Sequence, residues 1–152
     1  MAFNAPSLKG RALRLLSQRE HSRAELERKL ARHEEEPGTL AKALDELAAK
    51  DFISEPRVVA SVLNQRAARS GALRVKQELQ AKGIAPEAIA EAVAGLQDTE
   101  VERATALWRR RFDAPPADAK ERAKQMRFLM ARGFSGAVVS KVLRSDFDET
   151  GE

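Results

Sequence analysis

Apolar residues recur along this chain at helical intervals, in short runs set off by recognisable helix starts and stops. Leu8, Ala12, Leu15 and Leu16 lie at i, i+4, i+7 and i+8, which lines one face of a first helix. Ser22 followed by Glu25 is a capping box that opens a second, carrying Leu26 and Leu30. Leu40, Leu44 and Leu47 mark a third, which runs out near Asp51 and Phe52. After Ser54 the pattern predicts a fourth helix with Val59, Val62 and Leu63 inward, ending near Ser70 and Gly71. A fifth spans about Leu73 to Lys82, and a sixth starts at Pro86, since proline suits the first helical position. Thr99 and Glu102 form a capping box for a seventh, with Val101, Ala104, Trp108 and Phe112 at helical spacing. Pro115 and Pro116 break the chain. Asp118 and Glu121 then cap an eighth helix bearing Met126, Leu129 and Met130, read as packing residues. Ser135 caps a ninth with Val138, Val139, Val142 and Leu143.

The nine helices group into threes. Leu79, Gly83, Ile84, Ile89 and Val93 are matched 50 residues later by Leu129, Gly133, Phe134, Val139 and Leu143. Each glycine follows a helix end, where the backbone turns left-handed and glycine alone does so without strain. The next residue, Ile84 or Phe134, packs back on Leu79 or Leu129 and staples forward to Ile89 or Val139. A shift of 49 aligns Leu30, Leu40 and Leu44 with Leu79, Ile89 and Val93, which gives a weaker first copy. There Glu34 stands in the glycine's place, and the run Glu34-Glu35-Glu36-Pro37-Gly38 predicts a looser, solvated connection. The expected fold is all-α: three tandem three-helix repeats, at 8–54, 55–98 and 99–147, in an elongated, curved array whose units touch only their neighbours.

Composition agrees with helices and removes much chemistry. Ala, Leu, Glu, Lys and Arg dominate, and these residues lose least on entering a helix. With no cysteine in the sequence, disulfides and zinc–thiolate sites are excluded. The two histidines, His21 and His33, show no metal or triad spacing, and no glycine-rich phosphate loop appears. The expectation is no enzyme, no metal and no cofactor. No apolar run approaches the roughly 20 residues of a membrane span. The start, Met1 to Ser7, lacks the pattern of a signal peptide, so a cytoplasmic protein is expected.

Charge is unevenly distributed. Arg57 to Lys76 holds five basic residues and no acid, whereas Pro86 to Glu102 holds five acids and no base. Arg103 to Arg144 holds eleven bases and three acids, a net of +8. Arg109, Arg110, Arg111, Lys120, Arg122, Lys124, Arg127 and Arg132 are therefore candidates to grip DNA phosphates or an acidic groove on a protein. Arg66, Arg69, Arg74 and Lys76 form a second candidate patch. Each patch also reads as an ordinary solvated helix surface. Trp108 could stack on a base, but its stripe with Val101, Ala104 and Phe112 places it in the core.

Two segments resemble signatures of the RecX family of RecA modulators. One runs from Ser70 through Gly71, Arg74, Glu78, Leu79, Lys82 and Gly83 to Ile84; the other is Lys124-Gln125-Met126-Arg127-Phe128-Leu129-Met130-Ala131-Arg132-Gly133-Phe134-Ser135. Ser22 to Leu30 is similar to the family's first repeat. Lys50-Asp51-Phe52-Ile53-Ser54 stands where the family has a glycine-led junction and fits it loosely. The resemblance covers Leu8 to Arg144. It implies three three-helix repeats and binding within the groove of the filament that RecA forms on single-stranded DNA. It further implies limited filament growth and suppressed strand exchange, ATP hydrolysis and co-protease activity. The expected partner is RecA, with single- or double-stranded DNA beside it, and the expected state is a monomer. Two other readings stand next to this one. Three short helices with a glycine turn also describe an independent helix-turn-helix DNA-binding protein, and a helical array also serves as a protein scaffold.

Overall fold

Nine α-helices form among the described residues of the computed structural model, which cover 5–150, with side chains to Arg144. The start of the chain, Met1 to Asn4, lies outside them, as do the last two residues. The helices are α1 (Leu8–Gln18), α2 (Arg23–Leu30), α3 (Thr39–Ala49), α4 (Glu55–Arg66), α5 (Ala72–Ala81), α6 (Pro86–Gln97), α7 (Glu100–Arg111), α8 (Ala119–Ala131) and α9 (Gly136–Thr150). A short 3-10 turn, Ala31–His33, extends α2.

Three separate cores confirm the grouping into three repeats. Ala12, Leu26, Leu30, Leu40, Leu44 and Leu47 fill the first. Val58, Val62, Val75, Leu79, Ile84 and Ile89 are central to the second. Ala104, Trp108, Phe112, Leu129, Phe134, Val139 and Val142 are central to the third. Each cluster draws on one repeat alone. A fully buried side chain of this size contributes about 1.5–3 kcal/mol, so each repeat has its own source of stability.

The start signals act largely as the pattern predicts. Ser22 and Glu25 close a complete capping box on α2. Asp118 Oδ1 accepts from the Glu121 amide at 2.8 Å, and Ser135 Oγ from the Val138 amide at 3.2 Å. The ends of α5 and α8 share one motif. Gly83 (φ +71°) and Gly133 (φ +92°) are left-handed. The Ile84 amide donates to Leu79 O at 3.1 Å and the Phe134 amide to Leu129 O at 3.3 Å. Ile84 and Phe134 are both buried.

Three expectations need correction. Thr99 does not cap α7: its hydroxyl donates to Leu96 O and accepts from Arg103 Nε, and the acid that matters there is buried Glu100 rather than Glu102. Val58 is the residue buried beside Val62 in the second core, while Val59 and Leu63 pack against it only partly buried, because α4 carries two adjacent apolar rows and turns the Val58–Val62 row furthest inward. Met130 is half exposed rather than buried, and Leu129 and Met126 supply the inner face of α8 in the third core.

Candidate functional site

The middle helices of the repeats meet end to end. At the junction of repeats 2 and 3 the N-terminus of α5 abuts the C-terminus of α8. The Gly71 amide donates to Arg132 O at 2.7 Å and the Leu73 amide to Gly133 O at 3.2 Å. Orphan donors of one helix thus satisfy orphan acceptors of another, and the helix dipoles align head to tail. Arg74 Nη1 adds a bond to Ala131 O at 2.7 Å. From α7, Glu100 Oε1 accepts from the Ala72 amide at 2.9 Å. The half-buried Arg103 guanidinium donates to Ala67 O, Ser70 O and Leu96 O, which ties the ends of α4 and α6 to repeat 3. Burial lowers its pKa against the attraction of Glu100.

Side chains do this work between repeats 1 and 2. Arg28 Nη2 donates to Ala81 O at 2.8 Å, and Lys82 Nζ pairs with Glu25 Oε1 at 3.2 Å. Arg57 spans from α4 to Glu20 at 2.9 Å. Burial disfavours ionisation of Glu25. Its hydrogen bonds from Arg19, the Ser22 amide and Lys82 outweigh that and hold the carboxyl at a pKa of about 2. His21, fully buried, has its pKa lowered by burial; Nδ1 faces Arg19 O at 3.0 Å and Nε2 faces Lys29 Nζ at 3.2 Å.

The candidate binding residues fall into unequal sets. On α8, Lys120, Lys124 and Arg127 follow at i, i+4 and i+7, and all three are exposed on the side opposite buried Gln125 and Leu129. Arg122 is exposed on another side of the same helix. Arg109, Arg110 and Arg111 form the exposed last turn of α7. The loop 112–118 joins that turn to the start of α8, so the two basic groups lie towards one end of repeat 3. Arg111 stands over the Phe112 ring and Arg132 over the Phe128 ring, at 5.4 and 5.2 Å from the centroids. Among the described residues, no acid lies within ion-pair distance of Arg110, Arg111, Lys120, Arg122, Lys124, Arg127 or Arg132.

The middle patch is dispersed by comparison. Arg66 pairs with Glu78 at 2.9 Å, and Arg74 is engaged at the junction. Arg69 is exposed in the turn before α5. Lys76 lies two residues after Arg74, about 200° around the helix, beside an apolar groove with Ile84 and Ile89. Trp108 is core, with its Nε1 donating to Gln125 Oε1 at 2.8 Å. A further basic set escaped the count of charge blocks. Arg11 and Arg14 of α1 face Arg28, Lys29 and Arg32 across a groove in repeat 1. The intervening Glu20, Glu25 and Glu27 dilute that cluster in a linear count, though helical spacing within α1 and α2 would have exposed it.

Fold and surface together define a tandem helical-repeat protein with a strongly cationic C-terminal unit. Comparison with known proteins makes this particular. Residues 9–47, 54–93 and 98–143 match the first, second and third three-helix domains of RecX in turn. The chain is 56% identical over 146 residues to the regulatory protein RecX of Leptothrix cholodnii, covering 95% of this chain and 93% of that one. It is 51% identical over 138 residues to the regulatory protein RecX of Ralstonia nicotianae, covering 91% and 87%. A crystal structure of RecX from Lactobacillus salivarius superposes with a TM-score of 0.75 at 22% identity, over 91% of this chain and 93% of that one, which shows the shared fold. The chain belongs to the RecX family.

Proposed function

We propose that this chain regulates a RecA recombinase by binding RecA filaments on single-stranded DNA through the basic surface of repeat 3. On this reading it limits filament growth and with it strand exchange, ATP hydrolysis and co-protease activity. It acts in the cytoplasm, and any nucleotide hydrolysis belongs to RecA. Membership of a family of regulatory proteins supports the regulatory role. The observation that carries the surface is the set of exposed cations Arg110, Arg111, Lys120, Arg122, Lys124 and Arg127, with no acid among the described residues in ion-pair reach of them. Those six cations give repeat 3 a positive field that it can present to a partner.

RecA ATPase on single-stranded DNA, titrated with the protein, tests this. Inhibition is expected well below one molecule per RecA. Lys120→Glu, Lys124→Glu and Arg127→Glu combined should weaken it about tenfold or more, and the loss should shrink as salt rises. Full inhibition by the folded triple variant would remove repeat 3 from the contact. Preference for one duplex sequence without RecA would favour a helix-turn-helix regulator instead.

A further inference from the structure

We propose that the groove of repeat 1 is a second binding site, one that takes the phosphate backbone of single-stranded nucleic acid directly. The groove runs between α1 and α2, encloses about 510 Å³, and is walled by cations on both sides. Arg11 and Arg14 project from α1; Arg28, Lys29 and Arg32 project from α2 and its 3-10 extension. Leu15 and Leu30 supply apolar surface between them, and no acidic residue lines the groove.

These cations are not neutralised within the protein. Among the described residues none of the five has an ion pair. Arg28 bonds the Ala81 carbonyl, while Lys29 and Arg32 each turn a nitrogen towards a histidine Nε2, at 3.2 Å from His21 and His33 respectively. The groove's positive field has a local reporter. Desolvation, followed by Arg11 and Arg32, lowers the pKa of His33 at the groove edge. Glu35 and Glu36 border the adjoining depression beyond Arg11 and Arg32, which sets the limit of the cationic surface.

Ligand chemistry follows from the layout. Four of the five cations are arginines, whose planar forks pair two-pronged with phosphate and stack on bases. Two cationic rims across an apolar floor suit a strand that lays its phosphates on the rims and its bases on the floor. An acidic polypeptide would meet the same charges, but it gains nothing from guanidinium stacking. This site is distinct from repeat 3 and does not rest on the RecA reading.

The test uses the full chain and a labelled short oligothymidylate, with no RecA present. Fluorescence anisotropy of wild type should show binding with steep salt dependence. Arg11→Glu, Arg14→Glu and Arg32→Glu combined should lose at least about tenfold in affinity. The slope of log affinity against log salt should flatten by roughly two, at about 0.7 per phosphate contact. In wild type, NMR should show the His33 pKa rising when the oligonucleotide binds, because bound phosphates offset Arg11 and Arg32. That readout stands even where the triple variant folds poorly. An unchanged slope and affinity in a folded variant, or a His33 pKa that stays put at saturation, overturns the proposal. Displacement by polyglutamate as effective as by unlabelled oligonucleotide of equal charge overturns it too, in favour of an acidic protein segment.

Discussion

Asp51 carries the same backbone task as Gly83 and Gly133 without being glycine. It sits just past the end of α3 with φ +66°, the one non-glycine left-handed residue among the described residues. Its amide donates to Ala48 O at 3.0 Å and that of Phe52 to Leu47 O at 2.9 Å, the hydrogen bonds found after α5 and α8. Aspartate tolerates this region better than most residues, and Arg57 adds bonds to its carboxylate and its carbonyl. This explains the loose fit of Lys50 to Ser54 to a glycine-led junction: the conformation is kept and the residue is not. Asp51→Gly should be as stable as wild type or up to about 1 kcal/mol better, since the lost ion pair is exposed. Asp51→Val should lose about 1–2 kcal/mol in urea unfolding. Equal stability of the glycine and valine variants would contradict a left-handed helix end.

Among elements, the glycine turns do more than stop helices. A Cβ on Gly133 would stand 2.5 Å from Arg74 Cβ and 2.7 Å from Arg74 N, and one on Gly83 would stand 2.7 Å from Ala24 Cβ. Each glycine is therefore where one middle helix lets the neighbouring repeat approach. Gly38 is left-handed as well (φ +90°), yet a Cβ there would meet nothing within 4 Å. The two positions separate backbone strain from close packing. Gly38→Ala should cost about 1 kcal/mol, whereas Gly133→Ala should cost about 2–4 kcal/mol by adding overpacking at the junction. Thermal unfolding of the pair decides this, and equal losses would reduce Gly133 to a cap.

Over the whole molecule, repeat 1 departs from the other two at the turn after its middle helix. There Glu34 stands in the place that Gly83 and Gly133 take in the other two. Glu34 instead accepts from the Leu40 amide at 2.8 Å and caps α3, whose own N-cap is a side-chain-free glycine. Of the acids that join repeat 1 to repeat 2, Glu25 is the most buried. Its folded pKa of about 2 lies below the unfolded value, so its contribution is present above about pH 4.5 and lost as pH falls towards 2. Glu25→Gln should lower stability at neutral pH by about 2 kcal/mol and flatten the acid limb of the stability curve over that window. Circular dichroism against pH measures it; an unaltered acid limb would mean that other carboxylates control acid unfolding.

The sequence by itself determined the helices, their grouping into threes and the left-handed turns at Gly83 and Gly133, because helical periodicity and cap chemistry are local. It also marked repeat 3 as the cationic unit, since eleven of its bases fall in one stretch. Tertiary structure decided what those residues face. It divided the middle patch, sending Arg66 to Glu78 and Arg74 into a junction, because partners across a helix interface are remote in sequence. It drew Arg11 and Arg14 opposite Arg28, Lys29 and Arg32, although acids lie between them along the chain. It gave Glu100 and Arg103 the task of binding repeat 2 to repeat 3. Periodicity fixes which side of a helix is apolar; only the packing of one repeat on the next fixes which charges are left for a partner.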